Sequence, residues 1–199
     1  GGLPTEDWEA LLFEARTRAD RAGHYRFAMP KELGGKDGGN LAMAVIREHL
    51  ATKGLGLHND LQNEHSIVGN NVGVLLMAEY GSAEQKEEWL PLMLEGKRGF
   101  AFGITEPAHG SDATHMETNA VRDGDGWKIN GAKTWNTGIH KAQYDMVMAR
   151  TSGKAGDGDG ITAFLTPLDA EGAKIEEFLW TFNMPTDHGT VSFKDVYVD

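Results

Sequence analysis

The apolar positions of this chain change period near its middle. In the first half they recur at helical spacing. Trp8, Leu11, Leu12, Ala15, Ala19 and Ala22 share one helix face, with Gly23 as its stop. Leu41, Val45, Ile46 and Leu50 mark a second amphipathic segment closed by Gly54. Val68, Val72, Leu75, Leu76 and Tyr80 mark a third, closed by Gly81. Ser82 and Gln85 have the spacing of a capping box, which opens a fourth helix. Its apolar face is Trp89, Leu92 and Met93, Pro91 is expected to kink it, and Gly96 ends it.

From about Gly99 the period falls to two. Phe100, Phe102 and Ile104 alternate with small residues. Asp123-Gly124-Asp125-Gly126 and Asn130-Gly131 flank Trp127-Lys128-Ile129 as turn signals, and Asn-Gly is a strong hairpin cue. Tyr144 to Ala149 and Ile161 to Leu165 read as buried strands. The Gly/Asp-rich stretch from Ser152 to Gly160 reads as the exposed loop between them. Val191-Ser192-Phe193 and Val196-Tyr197-Val198 form the last strand around Lys194-Asp195. Helices followed by strands predict an α+β fold. The expected division is an all-α helical domain over residues 1–98 and an antiparallel β-barrel-like domain over 99–199.

Composition narrows the class. A hydrophobic share of 40% with 25% charged residues suits a globular chain rather than a disordered one. The 26 glycines lie mostly in the second half, where turns are needed. A net charge of −11 without an evident basic stripe argues against a nucleic-acid partner. The sequence has neither the long apolar run of a membrane span nor the pattern of a signal peptide. The absence of Cys excludes disulfides and thiol catalysis and suits a reducing compartment. The chain opens on Gly1-Gly2 instead of Met, so a processed or engineered start is expected. It closes on Val198-Asp199 straight after an expected strand, so truncation is expected there.

Several chemistries lack their motifs. No phosphate loop, no Gly-x-Gly-x-x-Gly after a strand and no Gly-x-Ser-x-Gly elbow is present. Asp157 and Asp159 resemble the opening of a calcium loop, but the closing Glu is missing. The pairs His58/His65 and His109/His115 do not have metal-helix spacing, so no metal is expected. Two clusters stand out. Thr105-Glu106-Pro107-Ala108-His109-Gly110-Ser111-Asp112 is either a plain turn or a close-approach loop for an oxygen-rich ligand. Trp135-Asn136-Thr137-Gly138 offers either a core Trp or an aromatic face beside a hydroxyl, suited to a flat heterocycle. The polar run from His58 to His65 is either a solvated loop or part of a ligand pocket.

Taken with Tyr80-Gly81-Ser82, Gln85-Lys86, Trp89-Leu90-Pro91, Leu94, Gly96, Gly103-Ile104-Thr105-Glu106-Pro107, Gly110-Ser111-Asp112 and Ile129-Asn130-Gly131-Ala132-Lys133-Thr134-Trp135, the chain resembles the acyl-CoA dehydrogenase family. Order and spacing match from about residue 79 to about residue 140, and weaker likeness covers most of the chain. The resemblance implies the N-terminal helical and middle β domains of that family, without its C-terminal helices. It implies FAD as cofactor, with Phe102, Ile104, Thr105, Trp135, Asn136 and Thr137 on the flavin side. Trp135 would pack beside the ring system, and Thr137 would bond near its reactive nitrogen. Ser111 and Gly110 would meet the acyl-CoA substrate, and Glu106 and Asp112 look structural.

The implied reaction is α,β-dehydrogenation of the thioester, with an electron-transfer flavoprotein as acceptor. The complete protein would be a homodimer or homotetramer, in the cytoplasm or the mitochondrial matrix. No catalytic residue is assigned, because the family's carboxylate base lies in the C-terminal helices. His109 stands where the family has a small residue, and Asn136 where it often has an apolar one. An acyl-CoA oxidase or flavin monooxygenase of the same fold, or a non-catalytic acyl-CoA-binding module, are the alternatives.

Overall fold

The computed structural model describes residues 2–53, 71–180 and 187–199. The chain divides into two compact units, Thr5–Arg98 and Gly99–Asp199 with the N-terminal Gly1–Pro4.

In the helical unit, α1 runs Glu6–Arg21, α2 Asn40–Ala51, α3 Val72–Tyr80 and α4 Ala83–Leu94. Thr5 caps α1, its hydroxyl accepting from the Trp8 N–H at 3.2 Å. The Ser82–Gln85 capping box forms in both directions: Gln85 N–H donates to the Ser82 hydroxyl at 3.2 Å, and Ser82 N–H to Gln85 Oε1 at 2.9 Å. Helix α4 continues through Pro91 as one element, leaving the Glu87 carbonyl without its i+4 donor. Leu12, Ala19, Tyr25, Met29, Met43, Val74, Met77, Trp89 and Met93 are buried. Four of these nine are methionines, whose flexible thioethers fill irregular gaps between short helices. Arg26 bonds Asp20 at 2.9 Å and the Leu94 carbonyl at 3.2 Å, tying the end of α1 to the end of α4.

The predicted apolar faces are partly out of phase. Leu41 is 81% exposed in α2, whose buried residue is Met43. In α3, Val74 and Met77 are inside while Val72 and Tyr80 face out. Gly54 and Val68 lie outside the described residues.

The second unit holds seven strands: β1 Ala101–Gly103, β2 Asn119–Asp123, β3 Gly126–Thr137, β4 Tyr144–Arg150, β5 Ile161–Pro167, β6 Ala173–Leu179 and β7 His188–Val198. They form one mixed sheet in the order β1-β4-β2-β3-β7-β6, with β5 on the other side of β4. The sheet is mostly antiparallel, as expected, but it carries parallel pairs and is not closed into a barrel among the described residues. Strand β1 pairs with β4 in parallel, as does the start of β2, and no pairing among the described residues joins β5 to β6. The reason lies in the register. Gly103 pairs with Val147 and Asn119 with Arg150, so β1 and β2 are successive pieces of one track beside β4. Residues 104–118 leave that track and return to it. Gly124-Asp125 makes a two-residue hairpin between β2 and β3, and residues 151–160 join β4 to β5. The core is Ala101, Ala120, Ile129, Ile139, Val147, Ala149, Phe164, Val191, Phe193, Val196 and Val198, with Trp127 edge-on to Phe164 at 5.7 Å.

Asn130-Gly131 is not a hairpin. Strand β3 runs straight through it, and the register against β7 shifts there. Lys194 and Asp195 oppose the single residue Asn130, a β-bulge. The Asn130 amide donates to Asp195 Oδ1 at 3.0 Å, and its carbonyl accepts from Asp195 N–H at 2.9 Å. Gly131 has φ +147°, and a Cβ there would lie 2.3 Å from Thr118 Oγ1. Glycine is needed for both reasons.

Candidate functional site

The excursion from 104 to 118 is held by a buried ion pair. Lys133 projects from β3 and donates to Glu106 Oε1 at 2.8 Å and to the Ile104 carbonyl at 3.2 Å. Glu106 also accepts from Glu117 N–H at 2.6 Å and from Thr118 N–H at 2.9 Å. Both side chains are buried. Burial alone would raise the Glu106 carboxyl. The hydrogen bonds from Lys133, Thr118 and Glu117 outweigh it and hold the group below the ordinary glutamate range. Burial pulls the Lys133 ammonium below its usual range, and Glu106 and Asp145 oppose that pull. Glu106 is thus a structural anchor, fully occupied.

Beyond that anchor the chain turns tightly. Glu106 N–H donates to the His109 carbonyl at 3.0 Å and His109 N–H returns to Glu106 at 3.2 Å. Gly110 and Ser111 follow in the open. Asp112 closes the loop by accepting from Thr114 N–H at 3.1 Å and bonding the His115 ring at 2.8 Å. The His109 ring lies 3.3 Å from Glu117.

The second cluster lies on β3. Between Lys133, which pairs with Val191, and Asn136, which pairs with Gly189, β3 carries one residue more than β7. Trp135 sits in that bulge with φ +63°. The left-handed region is rare for any bulky side chain, and such strain persists only where surroundings impose it. The bulge turns Trp135 outward, 49% exposed, so the core-Trp alternative falls. The His188 ring meets it edge-on at 6.3 Å. The Thr137 hydroxyl lies 3.0 Å from His188 Nδ1. Thr134 N–H donates to the Thr105 carbonyl at 2.9 Å, which puts Thr105 beside this segment. Phe102 is 40% exposed on β1, while its neighbours Ala101 and Gly103 point inward. Ile104 and Thr105 are half-buried.

Asn136 departs from the sequence-derived set. It is fully buried, and its amide donates to Asp145 Oδ2 on β4. Only its main chain remains for any outward contact. Sequence reasoning also missed His188, Lys133 and Asp145. The signal for Asp145 was present, as a lone acid in the apolar strand Tyr144–Ala149. Among the described residues no group of three or more His, Asp or Glu could hold a metal, and no helix is long and apolar enough to cross a membrane. His58 and His65 lie outside the described residues.

Comparison with known proteins gives a consistent result. The family described as acyl-CoA dehydrogenase, N-terminal domain, matches residues 5–97, and acyl-CoA dehydrogenase, middle domain, matches 101–196. The chain is 31% identical over 159 residues to acyl-CoA dehydrogenase FadE12 of Mycobacterium tuberculosis, covering 80% of this chain and 39% of that protein. It is 34% identical over 153 residues to the caffeyl-CoA reductase-Etf complex subunit CarC of Acetobacterium woodii, covering 77% and 39%. A solved structure of a glutaryl-CoA dehydrogenase from Mycobacterium smegmatis in complex with FADH2 aligns with a TM-score of 0.70 at 26% identity, over 94% of this chain and 45% of that one. The chain therefore spans about two fifths of the length of these curated relatives.

Proposed function

Because the chain belongs to the acyl-CoA dehydrogenase family, we propose that it forms the flavin- and thioester-facing wall of an enzyme that introduces an α,β double bond into an acyl-CoA. The observation that carries this reading is Trp135, a large aromatic turned outward by a strained bulge, with the Thr137 hydroxyl two residues on. That donor set suits a flat, nitrogen-rich ring better than it suits a protein core. Trp135 would pack against the edge of a flavin. Thr137, oriented by His188, would donate to a ring heteroatom, and Thr105, Ile104 and Phe102 would line the neighbouring strand. The FADH2 bound to the aligned glutaryl-CoA dehydrogenase supports FAD as the cofactor. When bound, a flavin supplies the hydride acceptor.

The chain's own residues then bind and orient. The exposed Gly110-Ser111 loop would meet the pantetheine or nucleotide end of the acyl-CoA, held in place from below by Glu106 and Lys133. His109 rests against Glu117 beside that loop. Neither nearby acid is offered as the base. Glu106 is locked into its ion pair, and Asp112 is committed to Thr114 and His115. Removal of the α proton is therefore assigned to neither Glu106 nor Asp112. The relative CarC is a subunit of a caffeyl-CoA reductase-Etf complex, which supports an electron-transfer flavoprotein as acceptor.

The test is anaerobic mixing of the FAD-loaded protein, at its natural length, with saturated acyl-CoA thioesters of graded chain length. Bleaching of the flavin band by at least one of them is expected. A band that no acyl-CoA bleaches would overturn the reading. Admitting oxygen afterwards separates dehydrogenase from oxidase, since a dehydrogenase forms little peroxide.

A further inference from the structure

Directly behind Trp135 lies a polar pair that the proposed reaction does not use. Asn136 on β3 and Asp145 on β4 are both fully buried, and the Asn136 amide donates to Asp145 Oδ2. Strand β1 is paired to β4 by register, and two residues beyond its end the Thr105 carbonyl accepts from Thr134 N–H of β3. The two side chains meet over Gly103. A Cβ at that position would lie 2.9 Å from both Asn136 Nδ2 and Asp145 Oδ2. Glycine leaves the space in which they touch.

Two oxygens in this space have no partner among the described residues, Asn136 Oδ1 and Asp145 Oδ1. Both are acceptors if Asp145 is ionised, and each buried acceptor left unpaired is costly. One proton on Asp145 Oδ1 removes both deficits, because an acid and an amide can close a ring of two hydrogen bonds. The charged group facing the pair is Lys133 on β3, already bonded to Glu106. The flanking strands set Ala101 and Thr166 opposite Asp145 and Gly103 against the pair, and none of these titrates. Burial outweighs the Asn136 hydrogen bond and the Lys133 charge, and pushes the Asp145 carboxyl up to about 7.

We propose that Asp145 is a positioning residue, which as a neutral acid doubly hydrogen-bonded to Asn136 clamps the Trp135–Thr137 segment in its bulged conformation. Asn136 sits between the two site residues, so the ring fixes both. Ionisation removes one of the two bonds and sets a carboxylate oxygen against the Asn136 carbonyl. The strained Trp135 backbone then loses part of what imposes it. The consequence for cofactor binding rests on the flavin-facing reading of Trp135 and Thr137, but the clamp itself does not.

The experiment is a pH titration of the protein without cofactor by NMR. It follows the Asp145 carboxyl carbon and the backbone amides of Trp135 and Thr137 in the wild type and in Asp145→Asn. The asparagine variant keeps a ring of two hydrogen bonds but cannot titrate. The expected result is a carboxyl midpoint near neutrality, the same midpoint at both amides, and the loss of both transitions in the variant. An Asp145 midpoint in the ordinary aspartate range, or a near-neutral midpoint that leaves the two amides unmoved, would overturn the proposal. FAD titrations on either side of neutrality separate the two readings. Affinity that falls severalfold at the higher pH in the wild type alone supports both. Amide shifts without any change in affinity keep the clamp and remove the flavin-facing reading.

Discussion

Trp135 shows how a single residue defeats a periodic reading. Alternation along β3 would place the Trp inside or outside by counting from Ile129. Two register shifts lie between Ile129 and Asn136, and the second puts its extra residue in β3 and changes the count there. The outward Trp was legible only as chemistry, an aromatic beside hydroxyls. Its strain was not legible, because φ follows from pairing with β7. The buried acids respond to pH in opposite senses. Glu106 is held below its ordinary value, so its stabilisation is present at neutral pH and is lost as pH falls through the acid range. Asp145 is raised, so its contribution is full in acid and is lost as pH rises through about 7. Denaturant midpoints should therefore peak in mildly acidic buffer, decline toward pH 7 and level off above it, and Asp145→Asn should flatten that decline. A wild-type midpoint that keeps rising through neutrality would count against the Asp145 assignment. Removing one partner of the buried ion pair, as in Glu106→Gln, leaves Lys133 uncompensated. The expected loss is about 3–5 kcal/mol by denaturant unfolding.

At the scale of elements, the helix starts and the antiparallel hairpins were readable, because they depend on neighbours in sequence. Ser82→Ala should cost about 1 kcal/mol, since it removes one half of an observed reciprocal cap. Equal unfolding midpoints for the two proteins would contradict that. The Asn130-Gly131 pair was misleading for an instructive reason. The same dipeptide that suits a tight turn also suits a bulge, and only the long-range contact with Thr118 and Asp195 decides between them. Gly131→Ala should destabilise by about 1–3 kcal/mol or more, because the added carbon meets Thr118 and the backbone is strained for any side chain. Strand β6 escaped notice because Lys174 and Glu176 pair with each other on an edge, where charge replaces the apolar alternation of an inner strand. The parallel pairing of β1 with β4 is likewise non-local, and no periodicity announces it.

On the scale of the whole molecule, the α+β order came from the change of period, and the acyl-CoA dehydrogenase resemblance from linked motifs, each individually weak. The structure explains why those motifs are linked. The 104–118 excursion and the Trp135 segment are joined by Lys133, Glu106 and Thr105, so the two clusters are tied together although about 25 residues separate them. The central claim is that this joint face holds a flavin. Its most direct measurement is an equilibrium FAD titration of the protein at its natural length, wild type against Trp135→Ala and Thr137→Ala, with Val121→Ala as an exposed control. Saturable binding that the two site variants weaken about tenfold or more, and the control leaves unchanged, is the predicted result. Equal affinity in all four proteins, or no binding by the wild type, would contradict the account.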